Sequence, residues 1–174
     1  MNTKNIIKIF IVEDSNVFTQ ALKIDIEKVF ENKHIQIHTF ETGEKCIKKF
    51  KEIKPQIVIL DYNLNSKSCD AADGITVLKW LKKERKETYV IMLTNEDNID
   101  IAYTSFLQGS SDYIVKTESK FHKINNSLLN LFRLMESKKL VKQHRQLLFG
   151  VCIFFVLVIC LFIAIKIFNP EFYE

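Results

Sequence analysis

Apolar residues fall along this chain in two alternating rhythms. Runs at about 6–12, 35–40, 57–60, 89–94 and 112–115 are largely unbroken by polar residues and predict five strands buried on both faces. Between them apolar positions recur at helical spacing: Val17-Phe18, Ala21-Leu22, Ile24 and Val29-Phe30, then Cys46-Ile47 with Phe50, Ile75 with Leu78 and Leu81, and Ile101-Ala102 with Phe106. Ser15 and Asp73 stand where a helix N-cap accepts backbone N–H bonds, and Gly109 stands where a helix would stop. Strand and helix alternating in this way predict an α/β fold, a doubly wound five-stranded parallel sheet covered on both faces. There is no internal repeat and no low-complexity linker.

A fifth helical pattern begins near Ser119 and carries Phe121, Ile124, Leu128, Leu131 and Leu134-Met135. No Pro or Gly occurs between Ser119 and Arg145, so one helix can run on into Leu147 to Ile165, 19 consecutive residues without a charge. As a helix that run is about 28 Å long, close to the hydrocarbon thickness of a bilayer. A core helix apolar on every face would need a larger protein around it, so the run is expected to span a membrane. The expected organisation is a globular domain over 1–136, a basic juxtamembrane segment over 137–146, a transmembrane helix over 147–168 and a short extracytoplasmic tail over 169–174.

Charge sharpens that picture. Residues 1 to 118 carry 17 basic and 18 acidic side chains, whereas residues 119 to 146 carry 7 and 1. Lys138, Lys139, Lys142 and Arg145 precede the apolar run and only Lys166 follows it, which by the positive-inside rule puts the N-terminal domain in the cytoplasm. The basic cluster could also serve a nucleic acid, but its position against the span accounts for it more simply. Met1-Asn2-Thr3-Lys4 leads into the first strand without the apolar stretch and small-residue cleavage site of a signal peptide, so none is expected. Cys46, Cys69, Cys152 and Cys160 show no C-x-x-C spacing, so free thiols in a reducing compartment are expected.

Four of the apolar runs stop on residues suited to phosphate or metal chemistry: Glu13-Asp14, Asp61, Thr94 and Lys116. In a parallel sheet all strands end on one edge, where ligands bind, so these residues should converge. Three carboxylates in one pocket push one another's pKa upward unless a cation sits among them. Magnesium, which takes one or two carboxylates together with phosphate oxygens and water, fits that demand. An Asp61 oxygen is then available as nucleophile toward a phosphoryl group, with the Lys116 ammonium, the Thr94 hydroxyl and backbone N–H groups to offset the charge that develops. Taken singly, each residue has a duller role as a turn, cap or surface charge; the conjunction carries the reading.

The segments IFIVEDS, IVILDYNL, VIMLTN and GSSDYIVK, taken in order, make residues 5 to about 136 resemble the receiver domain of bacterial response regulators, a flavodoxin-like fold. The resemblance implies that Glu13, Asp14, Asp61 and the backbone carbonyl of Asn63 bind Mg²⁺. It further implies that Asp61 accepts phosphate from a histidine kinase or phosphotransfer protein, that Thr94 and Tyr113 form a switch pair, and that Lys116 contacts the phosphoryl group. Three departures stand out. Asn65 to Asp73 delay the expected glycine to Gly74, giving a longer and more polar loop, and Asn95 replaces a small residue beside the phosphate position. Thr117 follows Lys116 where proline is frequent, which predicts either a strained bond or a relaxed turn.

The expected function is that of a membrane-anchored phosphoacceptor rather than an enzyme, single-pass in the inner or plasma membrane. It would signal to a protein partner there and bind no nucleic acid. A phosphorylation-independent membrane scaffold, or a phosphorelay intermediate or phosphate sink, is the alternative. A homodimer through the last helix is only weakly signalled, since Gly150 lacks a G-x-x-x-G partner.

Overall fold

The structure, a computed structural model, describes residues 6–64, 72–95 and 97–168, with side chains through Leu161. The chain divides into two compact units, Met1–Leu129 and Asn130–Glu174.

In the first unit strand and helix alternate as β1 (Ile7–Val12), α1 (Asn16–Val29), β2 (Ile35–Phe40), α2 (Gly43–Ile53), β3 (Ile57–Asp61), α3 (Gly74–Glu84), β4 (Tyr89–Thr94), α4 (Ile99–Leu107) and β5 (Asp112–Val115), after which α5 (Lys120–Phe168) begins. All pairings are parallel and the strand order is β2-β1-β3-β4-β5. The chain therefore winds outward in one direction from β1 and in the other from β3. The predicted strand limits hold to within a residue.

The sheet core follows from the apolar runs. Every residue of β3 is buried, as are Ile9 to Val12 of β1 and Val90 to Thr94 of β4. Alternate residues point to opposite faces. Phe10, Val12, Val58, Leu60, Val90 and Met92 meet Cys46 and Phe50 of α2 and Ile75, Leu78 and Leu81 of α3 in one cluster. Burying a side chain of this size stabilises the fold by roughly 1.5–3 kcal/mol, so this cluster alone anchors both helices. Burial also pushes the Cys46 thiol up to about 12, which makes it an inert part of the core. No disulfide occurs among the described residues, where Cys46, Cys152 and Cys160 are free.

The helices begin where their caps direct. Ser15 Oγ accepts from the Phe18 N–H at 3.4 Å and Asp73 Oδ1 from the Thr76 N–H at 2.7 Å. Gly109, at φ 92°, ends α4 with its N–H donating to the Phe106 carbonyl. Within the first unit α5 runs in the same direction as α1: Phe121 meets Phe18 with ring centroids 5.6 Å apart, and further along both helices Asn125 Nδ2 donates to Asp25 Oδ2 at 2.7 Å.

Beyond it, α5 is the one helix among the described residues long and apolar enough to cross a membrane. Its side chains from Leu147 to Leu161 are exposed, the large apolar ones at 44% to 70%.

Candidate functional site

The carboxyl ends of β1, β3, β4 and β5 bring together the residues that sequence spacing singled out. Glu13 and Asp14 follow β1 directly and are 3% and 8% exposed, Asp61 closes β3 at 2%, and Thr94 closes β4 fully buried. The Lys116 N–H donates to the Thr94 carbonyl at 2.7 Å, which holds the segment leaving β5 beside the end of β4. The Thr117 N–H then donates to the Val115 carbonyl at 2.8 Å, and no described peptide bond is cis, so Lys116 lies in a relaxed turn.

One ligand oxygen each from Glu13, Asp14 and Asp61 lies within 4.8 Å of the other two. All three groups are buried, and buried charges must be paired or coordinate a metal. Lys116 supplies part of that pairing. Its Nζ accompanies Glu13 Oε2 at 2.7 Å and Asp61 Oδ1 at 2.9 Å, with the Phe18 ring centroid 4.8 Å away. The Glu13 contact is a hydrogen bond. The Asp61 contact is a close ion pair, and Asp61 Oδ1 is otherwise buried without a hydrogen-bond donor. One ammonium thus serves two carboxylates.

The electrostatics are set mainly by burial. Desolvation pushes the Glu13 carboxyl above its ordinary value and the Asp61 charge adds to this, while Lys116 and the Ser15 N–H work against the shift. Desolvation likewise raises Asp61, opposed by Lys116 and by the Asn63 backbone N–H, with the Asp14 charge adding to the rise. These groups lose their protons reluctantly on their own, and a divalent cation among them would reverse that preference. The donor set, three carboxylate oxygens beside an open polar cavity, suits a hard oxygen-seeking ion such as Mg²⁺.

That cavity, about 320 Å³, is lined by Glu13, Asp14, Ser15, Phe18, Asp61, Asn63, Asn95, Lys116 and Lys120. Asn95 is exposed and reaches the cavity wall, as its place after Thr94 suggested. Tyr113 lies elsewhere: half-buried on β5, it packs against the cluster under α2 and α3. The long loop lies mostly outside the described residues, since 65–71 are not among them. Its end is described, and Gly74 donates to the Tyr62 carbonyl at 2.9 Å.

Three contributors were not assigned to the site by sequence reasoning. Phe18 reads as one more apolar position of α1, but the turn capped by Ser15 brings it under the Lys116 ammonium. Lys120 opens α5 and reaches the cavity from there. Gly74 matters through close approach, because a Cβ on it would stand 2.5 Å from the Asp61 carbonyl oxygen and 2.6 Å from Tyr62 Cα.

Comparison with known proteins matches residues 9–127 to the response regulator receiver domain. The cell cycle transcriptional regulator CtrA of Caulobacter vibrioides is 27% identical over 116 residues, which cover 67% of this chain and 45% of that protein. The alkaline phosphatase synthesis regulatory protein PhoP of Bacillus subtilis is 28% identical over 109 residues, covering 63% and 42%. The chain thus spans less than half the length of these two relatives. Among solved structures, the signal receiver domain of a Luxo repressor protein from Vibrio parahaemolyticus aligns with TM-score 0.67 at 24% identity, covering 79% of this chain and 98% of that one. A CheY-like receiver domain from Methanospirillum hungatei aligns with TM-score 0.62 at 20% identity, covering 76% and 99%. At these identities the structural likenesses speak for the fold.

Proposed function

Because the chain belongs to the response regulator receiver domain family, we propose that Asp61 accepts a phosphoryl group from a histidine kinase or phosphotransfer protein, in a Mg²⁺-dependent reaction. The observation that carries this reading is the convergence of three buried carboxylates on one ammonium at the open edge of the sheet. Asp61 is taken as the acceptor because it ends β3 where the family's phosphoacceptor Asp stands; Lys116 is 2.9 Å from its Oδ1, and the Asn63 N–H supports the carboxylate.

In the transfer an Asp61 oxygen attacks phosphorus, the bond from phosphorus to the donor's imidazole nitrogen breaks, and the electron pair returns to that nitrogen. Glu13, Asp14, Asp61 and the Asn63 carbonyl would hold a Mg²⁺ ion, which when bound would supply positive charge near the phosphoryl oxygens. Lys116 adds a point charge at the same place, and the Thr94 hydroxyl a donor. Lys116, 2.9 Å from Asp61 Oδ1 and 2.7 Å from Glu13 Oε2, stands where its ammonium can meet a phosphoryl group on Asp61. The new charge on Asp61 then draws Thr94 and Lys116 inward and biases the β4–β5 edge, with Tyr113 as the partner-facing reporter. Ile99, Tyr103, Phe106 and Leu107 expose 51% to 82% of their surface on α4, an apolar face beside β5 suited to a protein partner. Residues 147–168 anchor this receiver in the membrane with the phosphoacceptor in the cytoplasm.

Treatment of the full chain in nanodiscs with Mg²⁺ and acetyl phosphate is the direct test. Intact-mass analysis is expected to show the gain of one phosphoryl group on the native chain, none on Asp61→Asn, and none after chelation. Failure to label under conditions that modify a control receiver domain overturns phosphotransfer. An Asp61→Asn chain that functions normally in cells would favour the scaffold instead.

A further inference from the structure

The two edges of the sheet carry opposite charge. The turns that follow β1, β2, β4 and β5 on the phosphoacceptor edge hold, among the described residues, Glu13, Asp14, Glu41, Asp97 and Glu118 against one basic side chain, Lys116. On the other edge, the ends of α2 and α3 and the connections after them, residues 50–56 and 81–88, hold six basic side chains against three acidic. Lys51, Lys54, Lys83 and Lys86 are exposed there. Arg85 joins the two segments by donating from Nη1 to the Lys54 carbonyl at 2.9 Å. Lys51, Lys54 and Arg85, with Phe50 and Glu84, surround a hollow of about 380 Å³.

Lys54 is the only described residue other than glycine with positive φ, at 52°. Glycine or asparagine would end α2 there with less strain. A lysine in that place puts an ammonium at the tip of the connection. Lys51 shares its charge with Glu84 at 3.0 Å, so the excess lies mainly with Lys54, Lys83, Arg85 and Lys86.

The placement of this edge gives the charge a direction. Within the first unit α5 runs alongside α1 from the phosphoacceptor edge toward the basic edge, and Lys138, Lys139, Lys142, Arg145 and the apolar run follow it in the sequence. Resting on the membrane anchoring proposed above, we propose that the basic edge, centred on Lys54, Arg85 and Lys86, docks on the anionic lipid surface of the membrane that holds the chain. The cytoplasmic leaflet carries the complementary charge, and each basic group near it strengthens association about fivefold. Docking by this edge turns the opposite one, with Asp61, away from the lipid and toward a soluble phosphodonor.

The test uses the full chain reconstituted into vesicles of phosphatidylcholine alone or of phosphatidylcholine with phosphatidylglycerol. Amine acylation read by mass spectrometry compares Lys54, Lys83 and Lys86 with Lys45 on the other edge. Severalfold protection of the first three in the anionic vesicles, absent from neutral ones and reversed by high salt, is the expected result. Lys54→Gly removes the charge at a position whose backbone suits glycine, so it should reduce protection of Lys86 while thermal stability holds or rises. Equal labelling in both lipids overturns the proposal, as does protection that grows with protein concentration in neutral vesicles, which would make the occupant a second copy. Alkaline extraction of the same vesicles reports the anchor separately: retained chain with unprotected lysines defeats docking alone, whereas chain released by alkali removes the anchor beneath it.

Discussion

The acidic pocket and the apolar stretch of α5 break the ordinary pattern of a globular protein in opposite directions. In the pocket, carboxylates that belong in water are 2% to 8% exposed. Along α5, Phe149, Phe154 and Val156, which belong in a core, are 70%, 63% and 58% exposed. Each violation names the environment that would resolve it: concentrated positive charge for the carboxylates, a hydrocarbon medium for the helix. Function is readable at both places because stability alone would not have chosen those residues there.

The contrast is broken most severely by removing the cation that the fold already supplies. Lys116→Met leaves Glu13 and Asp61 buried without their shared ammonium, and loss of one partner of a buried pair costs about 3–5 kcal/mol. Chemical denaturation of the full chain in detergent should show that loss at neutral pH. It should shrink as pH falls and the carboxylates protonate, and Mg²⁺ should restore part of it. A variant as stable as the native chain would mean that Lys116 does not hold the pocket together.

The equivalent insult to the apolar stretch is Val156→Arg, at the middle of the uncharged run. A charge there disfavours insertion by about 3 kcal/mol. The fraction of chain resisting alkaline extraction should fall sharply, while Asp61 phosphorylation of the extracted protein should continue. If the variant stays in the membrane as well as the native chain, α5 is not a span.

Acidity sharpens the comparison from the side of the pocket. Glu13 and Asp61 both have folded pKa values raised above their unfolded ones. Between the two values the folded chain holds protons that the unfolded chain has released, so these groups erode stability as pH rises from the ordinary carboxylate range through the raised values. Magnesium binds the deprotonated groups, so its stabilisation is fullest above that window and fades as pH falls through it. At a concentration one hundred times its dissociation constant the ion should add about 2.7 kcal/mol. Melting curves over a pH series with and without Mg²⁺ check both slopes; parallel curves would remove the metal from the carboxylates.

How much of this was legible in the sequence depends on whether the cause is local. Strand limits hold because buried parallel strands are continuous apolar runs, and Ser15 and Asp73 cap their helices because capping acts over three residues. Glu13, Asp14, Asp61, Thr94 and Lys116 were legible for a topological reason: all parallel strands end on one edge. The rest depends on distances that no spacing encodes. That Lys116 divides itself between Glu13 and Asp61, that Phe18 lies beneath it, and that the Asn63 N–H supports Asp61 emerge only when α1, β3 and β5 are brought together. Lys54 in a left-handed conformation runs against its residue type, and sequence alone would have placed glycine or asparagine there.

Gly74 offers the mildest and most selective perturbation. Its N–H donates to the Tyr62 carbonyl, and α3 starts so close to the end of β3 that a methyl group would meet the Asp61 carbonyl oxygen at 2.5 Å and Tyr62 Cα at 2.6 Å. Both obstacles are backbone and cannot swing aside as a flexible side chain would, so Gly74→Ala must displace either the start of α3 or the segment after Asp61. Overpacking of this kind costs about 1–3 kcal/mol. The segment at risk contains Asn63, whose N–H supports the Asp61 carboxylate and which lines the cavity. No charge is added or removed, so any change in Mg²⁺ affinity must come through position. Titration followed by calorimetry should show affinity falling severalfold, with alkaline-resistant membrane retention unchanged. A chain that melts earlier but binds Mg²⁺ normally would show that the α3 start yields instead, and that the loop after Asp61 is positioned independently of Gly74.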